Sequence, residues 1–90
     1  MMKIKDALEI MVPVGAPNEK ATIKNLSVRQ LKESLSWARQ ELAKAVAAKP
    51  KAKPADTVKE AAERYQQWTK RVYSLNRFVE AAESVLEQLK

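Results

Sequence analysis

The chain has 90 residues, one Gly, four Pro, no Cys, no His and a net charge of +6. The length suits one domain with a thin core, and so few turn-forming residues favour long helices over a many-stranded sheet. Without His or Cys there is no usual general base, no usual zinc ligand and no disulfide framework, which argues against most hydrolase and metalloenzyme schemes. The positive charge favours anionic partners such as nucleotides, nucleic acid or an anionic lipid surface, although charge of this size also serves solubility alone.

Residues 3–12 place Ile4, Leu8 and Met11 at helical spacing, which predicts a short amphipathic helix ended by Pro13. Asp6, Glu9 and Pro13 break its apolar stretch, so it is not a secretory signal. No apolar run in the chain is long enough to span a bilayer, and a membrane partner is not expected. The absence of Cys fits the cytoplasm. Residues 13–26 read as a loop, because Gly15 and Pro17 interrupt regular structure and Asn18 suits a turn. Lys20, Thr22, Lys24 and Asn25 give that loop several hydrogen-bond donors, and Ile23 is its one bulky core residue. Such a loop either holds a phosphate or is a solvated connection.

A second helix is expected over 27–48. Ser27 and Gln30 have capping-box spacing, and Leu26 and Leu31 occupy the hydrophobic-staple positions. Its apolar residues Val28, Leu31, Leu35, Ala38, Leu42 and Ala45 recur in alternating steps of three and four. Trp37 lies off this stripe, either as an anchor for a second surface or as a stacking platform. Residues 49–55, KPKAKPA, form a connection in which Pro and Lys alternate; so short a link implies an antiparallel helical hairpin. Lys49, Lys51 and Lys53 make its tip either a solvated turn or a phosphate contact.

A third helix is expected over 57–89, opening on a capping-box pair, Thr57 and Glu60. One heptad stripe runs through it: Val58, Ala61, Tyr65, Trp68, Val72, Leu75, Val79, Ala82, Leu86 and Leu89. This helix is roughly 50 Å long against roughly 33 Å for its partner, so about 17 Å overshoots, and the N-terminal helix is expected to cover part of that. Towards the C-terminus Phe78 and Val85 widen the apolar face, which calls for more than one neighbour; the N-terminal helix is expected to supply one and another subunit the rest, which predicts a homo-oligomer. Four of the five aromatic residues fall between Arg64 and Val79, together with Arg64, Lys70, Arg71 and Arg77. Tyr65 and Trp68 sit on the heptad and read as core. Arg64 and Arg71 flank it, their stems covering apolar surface. Lys70, Tyr73 and Arg77 share an outward face that would stack a base and hold a phosphate, or simply be solvated.

No catalytic constellation is present. A single glycine cannot build a phosphate loop. The pairs Glu60–Glu63 and Glu80–Glu83 look like solvated helix surface, and a di-iron bundle would need histidine. The chain is therefore expected to be non-catalytic and to need no cofactor.

The segment Leu26 to Leu42, LSVRQLKESLSWARQEL, resembles the helical hairpin domain of the phage anti-defence sponges, the anti-CBASS and anti-Thoeris proteins that sequester cyclic-nucleotide signals. The matching features are Leu26, Val28, Leu31, Glu33, Leu35, Trp37 and Ala38, after a short helix containing Ala7, Leu8 and Ile10. The likeness covers residues 4–42. Arg39 stands where the family carries Asn after its Trp-Ala pair, and residues 55–90 have no counterpart. The resemblance implies a homo-oligomer in a host bacterial cytoplasm. It would hold a small anionic nucleotide between subunits: a cyclic dinucleotide, a cyclic trinucleotide or an ADP-ribose derivative. Lys20, Thr22, Lys24 and Asn25 would be its phosphate and ribose contacts. With Arg29, Trp37, Tyr73 and Arg77 they make up the candidate ligand-binding set. The competing readings are a basic helical module that binds RNA or DNA, and a coiled-coil protein that binds or inhibits another protein.

Overall fold

The helix starts are set by side chains that satisfy the otherwise unpaired first-turn amides. A computed structural model describes residues 2–89. Among them the chain is all-α, with α1 at Ile4–Leu8, a 3-10 turn at Ile23–Asn25, α2 at Val28–Ala47 and α3 at Val58–Gln88. At the start of α2 the Gln30 amide donates to Ser27 Oγ (3.1 Å) and the Ser27 amide donates to Gln30 Oε1 (2.9 Å), completing the capping box. At the start of α3 the Glu60 amide donates to Thr57 Oγ1 at 3.1 Å.

The N-terminal helix is shorter than the expected 3–12. Beyond Leu8 the chain extends and pairs with residues 21–23. The Val12 amide donates to the Ala21 carbonyl (2.8 Å) and the Ile23 amide to the Ile10 carbonyl (3.0 Å), around an isolated antiparallel bridge between Met11 and Thr22. Two local preferences support this. Val12 precedes a proline, which disfavours the α conformation, and Ile10 and Val12 are β-branched. The segment expected to be wholly irregular therefore contains backbone pairing and a 3-10 turn.

The core lies where α2, the C-terminal half of α3 and the N-terminal segment meet. Leu75 and Phe78 are fully buried, together with Val79, Ala82 and Val85 of α3, Leu31, Leu35 and Ala38 of α2, and Ala7, Val12, Ala16 and Ile23. Small residues let the backbones approach closely here: Ala7, Ala38, Ala81 and Ala82 are all fully buried. α2 lies against α3: the Trp68 indole donates to the Ala45 carbonyl at 2.6 Å, and Arg39 pairs with Glu83 at 3.3 Å.

Of two expectations drawn from the heptad, one needs correction and the other holds in part. The wide face around Phe78 and Val85 is covered within the chain, since both are buried against the chain's own elements, so it does not call for a second subunit. The N-terminal helix does pack on α3, but against its C-terminal half, and it leaves the N-terminal half bare. Every buried residue of α3 lies between Leu75 and Val85, whereas Val58 is 88% exposed and Tyr65 48% exposed. Trp68 and Val72 are half-buried. The heptad is continuous in sequence, but only its C-terminal half is packed within the chain.

Candidate functional site

The loop before α2 is held in place by contacts that its composition does not advertise. Ser34, on the first half of α2, is fully buried, and its hydroxyl donates to the Pro17 carbonyl at 2.7 Å. Gly15 adopts φ +95°, where a side chain is strained, and a Cβ there would lie 3.5 Å from the Trp37 ring. The Gly15 amide donates to Glu19 Oε2 at 2.6 Å. Asn18 (φ 65°) and Lys20 (φ 68°) take left-handed conformations, which Asn tolerates and Lys seldom adopts. Ile23 and Ala16 anchor the loop's two arms in the core.

On this scaffold Lys20, Lys24 and Asn25 are exposed and Thr22 is half-buried. Asn25 Nδ2 donates to Thr22 Oγ1 at 2.8 Å. Lys24 Nζ reaches both oxygens of Glu9, at 3.1 and 3.3 Å. That pair is solvent-exposed, so it contributes at most about 1 kcal/mol and yields readily to a doubly charged competitor. The structure thus brings Thr22, Lys24 and Asn25 onto one turn, with Lys20 just before it. Arg29 projects from the first turn of α2 and pairs with Glu33 at 3.4 Å.

Trp37 is half-buried beside Gly15, and the Arg71 guanidinium stands 6.0 Å from its ring centroid. The indole therefore sits among the loop, α2 and α3. Arg71, which the sequence marks only as a flank of the heptad, is the α3 cation nearest to that contact. Tyr73 (63% exposed) and Arg77 form a separate pair on α3, with Arg77 Nη1 donating to the Tyr73 hydroxyl at 3.4 Å. No hydrogen bond, ion pair or ring contact joins that pair to the loop residues among the described residues. The candidate set thus falls into a loop group and an α3 group.

A cleft of about 520 Å³ opens between the start of α2 and the end of α3. Val28, Leu35 and Leu86 form its apolar part, and Lys32 and Arg39 line it together with Glu83 and Glu87, so its charges balance. Among the described residues no His/Cys/Asp/Glu group is arranged to hold a metal ion, and no helix is long and apolar enough to cross a membrane. At the other end Asp56 accepts from the Lys53 amide (2.8 Å) and pairs with Arg64. The backbone hydrogen bond, opposed by partial burial and reinforced by Arg64, holds its carboxyl below the ordinary value. No protein-family model, curated protein or solved structure matches this chain.

Proposed function

We propose that this chain is a non-catalytic binding protein, built on an antiparallel helical hairpin and assembled as a homo-oligomer, that holds a small anionic nucleotide, as the phage anti-defence sponges do. The observation that carries the reading is the loop. Lys20, Thr22, Lys24 and Asn25 present cationic, hydroxyl and amide groups on a segment fixed to the core by Ile23, by the Ser34–Pro17 hydrogen bond and by the seat of Gly15 on Trp37. Donors held by a rigid support bind a phosphate with little ordering cost. The balanced cleft at the same end of the molecule supports self-association, because Val28 is 48% exposed and its neighbours carry opposite charges that two copies can exchange. Copies meeting there would bring their loops together.

The test is a thermal-shift panel of cyclic dinucleotides, cyclic trinucleotides and ADP-ribose derivatives. A ligand at one hundred times its dissociation constant stabilises the folded state by about 2.7 kcal/mol. For a domain this small, that raises Tm by roughly 10–20 °C. Lys20→Ala should reduce the shift and leave the unliganded Tm unchanged. No shift with any member of the panel refutes the ligand class, and a monomer by sedimentation at high concentration refutes the assembly. Binding that falls steeply with salt would point to nucleic acid instead.

A further inference from the structure

The end of the molecule formed by the connection between α2 and α3 and the helix stretches beside it has a distinct electrostatic character. Residues 44–77 hold nine of the chain's 17 lysines and arginines and three of its 11 acids, so the whole net charge of +6 lies in these 34 residues and the rest balance to zero. The same end carries the uncovered half of the heptad. Leu42 and Val46 of α2 and Trp68, Val72 and Tyr73 of α3 line an open groove of about 380 Å³. Val46 is 56% exposed and Tyr73 63%. The one polar group of the indole is already used, since Trp68 donates to the Ala45 carbonyl. Tyr65 and Val58 continue the stripe, so Val58 to Val72 spans about 21 Å, or roughly four helical turns. Cations stand along its edges: Lys49 lies 6.0 Å from the Tyr65 ring, and Lys70 and Arg77 share a helix face with Tyr73.

We infer that this groove docks an acidic amphipathic helix from another protein, its apolar face against Val46, Trp68, Val72 and Tyr73 and its carboxylates against the flanking cations. A helix in a groove needs an apolar floor and charged edges, and both are present. A second copy fits poorly, because two such ends would each bring +6. The chain's own acidic segment, with Glu80, Glu83 and Glu87, cannot supply the guest, since its apolar residues Phe78, Val79, Ala82 and Val85 are already in the core. Nucleic acid fits the groove less well, because its lining is mostly apolar (Leu42, Val46, Trp68 and Val72), the indole N–H is already committed, and the donors left to a base or a phosphate are the Asn76 amide and the Tyr73 hydroxyl.

The experiment titrates the isotope-labelled full chain by NMR with a synthetic amphipathic helix bearing leucines on one face and glutamates on its flanks. Controls are the same peptide with lysines in place of the glutamates, and a single-stranded RNA. The acidic peptide should shift amides at Leu42–Val46 and Tyr65–Arg77 and weaken steeply with salt. Val46→Glu, at an exposed position, should weaken it by about tenfold or more through charge repulsion and loss of apolar contact, with an unchanged circular-dichroism spectrum. Lys20→Ala on the loop should leave it unchanged. The inference is overturned if the acidic peptide does not bind, if the lysine peptide binds equally, if RNA shifts the same amides more strongly, or if Val46→Glu changes nothing. It is also overturned if that substitution abolishes self-association, which would show that a second copy occupies the groove.

Discussion

The division of the α3 heptad is most directly tested by two truncations on the same stripe. Leu75 is completely buried and Val58 is 88% exposed, although both occupy heptad positions of one helix. Leu75→Ala removes buried methyl and methylene groups and leaves a cavity, at a cost of about 2–5 kcal/mol. A 90-residue domain has a total stability of only about 5–13 kcal/mol. At about 4–8 °C per kcal/mol, the Leu75 variant should melt roughly 8–40 °C below the parent. Val58→Ala removes surface that water already covers and should stay within about 0.5 kcal/mol, a shift of no more than a few degrees. Thermal unfolding followed by far-UV circular dichroism reads both values. Equal, large losses for the two variants would refute the division and mean that the stripe is covered along its whole length. Equal, small losses would refute the placement of Leu75 in the core.

Two further outcomes follow from the loop and the connection. Ser34→Ala leaves the Pro17 carbonyl without its donor and should cost about 1–3 kcal/mol; hydrogen exchange should show faster amides across residues 15–21, and unchanged exchange there would mean that the hydroxyl does not hold the loop. Asp56 has a folded pKa below its ordinary value of 3.8, so its contribution to the connection is complete above that value and is lost as pH falls through the lower folded value. Amide protection at Lys53 should therefore fall on acidification in the parent but be low and flat in Asp56→Ala, which has no side-chain acceptor; a parent-like acid response in the variant would assign the effect to another group.

Features decided locally were legible in the sequence. The starts of α2 and α3 depend on Ser27, Gln30, Thr57 and Glu60, each within one helical turn of its partner, so spacing alone reveals them. The all-α class follows from long apolar periodicities with few breakers. The end of α1 was not legible, because residues 10–12 are captured by residues 21–23, a pairing that no helical periodicity records. Nor does periodicity say what covers a stripe. Val58 and Leu75 are equivalent in the heptad, and it is the packing of α2 and the N-terminal segment against the C-terminal half of α3 that leaves one exposed and the other buried. In the candidate site, Lys20, Thr22, Lys24 and Asn25 stood out as a polar run. Their support did not, because Ser34 looks like an ordinary small polar residue and the contact of Gly15 with Trp37 joins positions far apart in the chain. One available signal was the spacing Leu31–Ser34–Ala38, which puts Ser34 on the buried side of α2.

The chain contains two tryptophans, and the fold gives each a different neighbourhood. Trp37 touches the loop through Gly15 and has Arg71 over its ring, whereas Trp68 faces the groove with its indole N–H tied to a helical carbonyl. Each indole is thus an intrinsic optical probe of one surface. In a Trp37→Phe variant the remaining emission reports the groove, and in a Trp68→Phe variant it reports the loop. Occupancy at either surface can then be followed without a label, and any energetic communication between them appears as a change in one fluorophore when the other surface is filled.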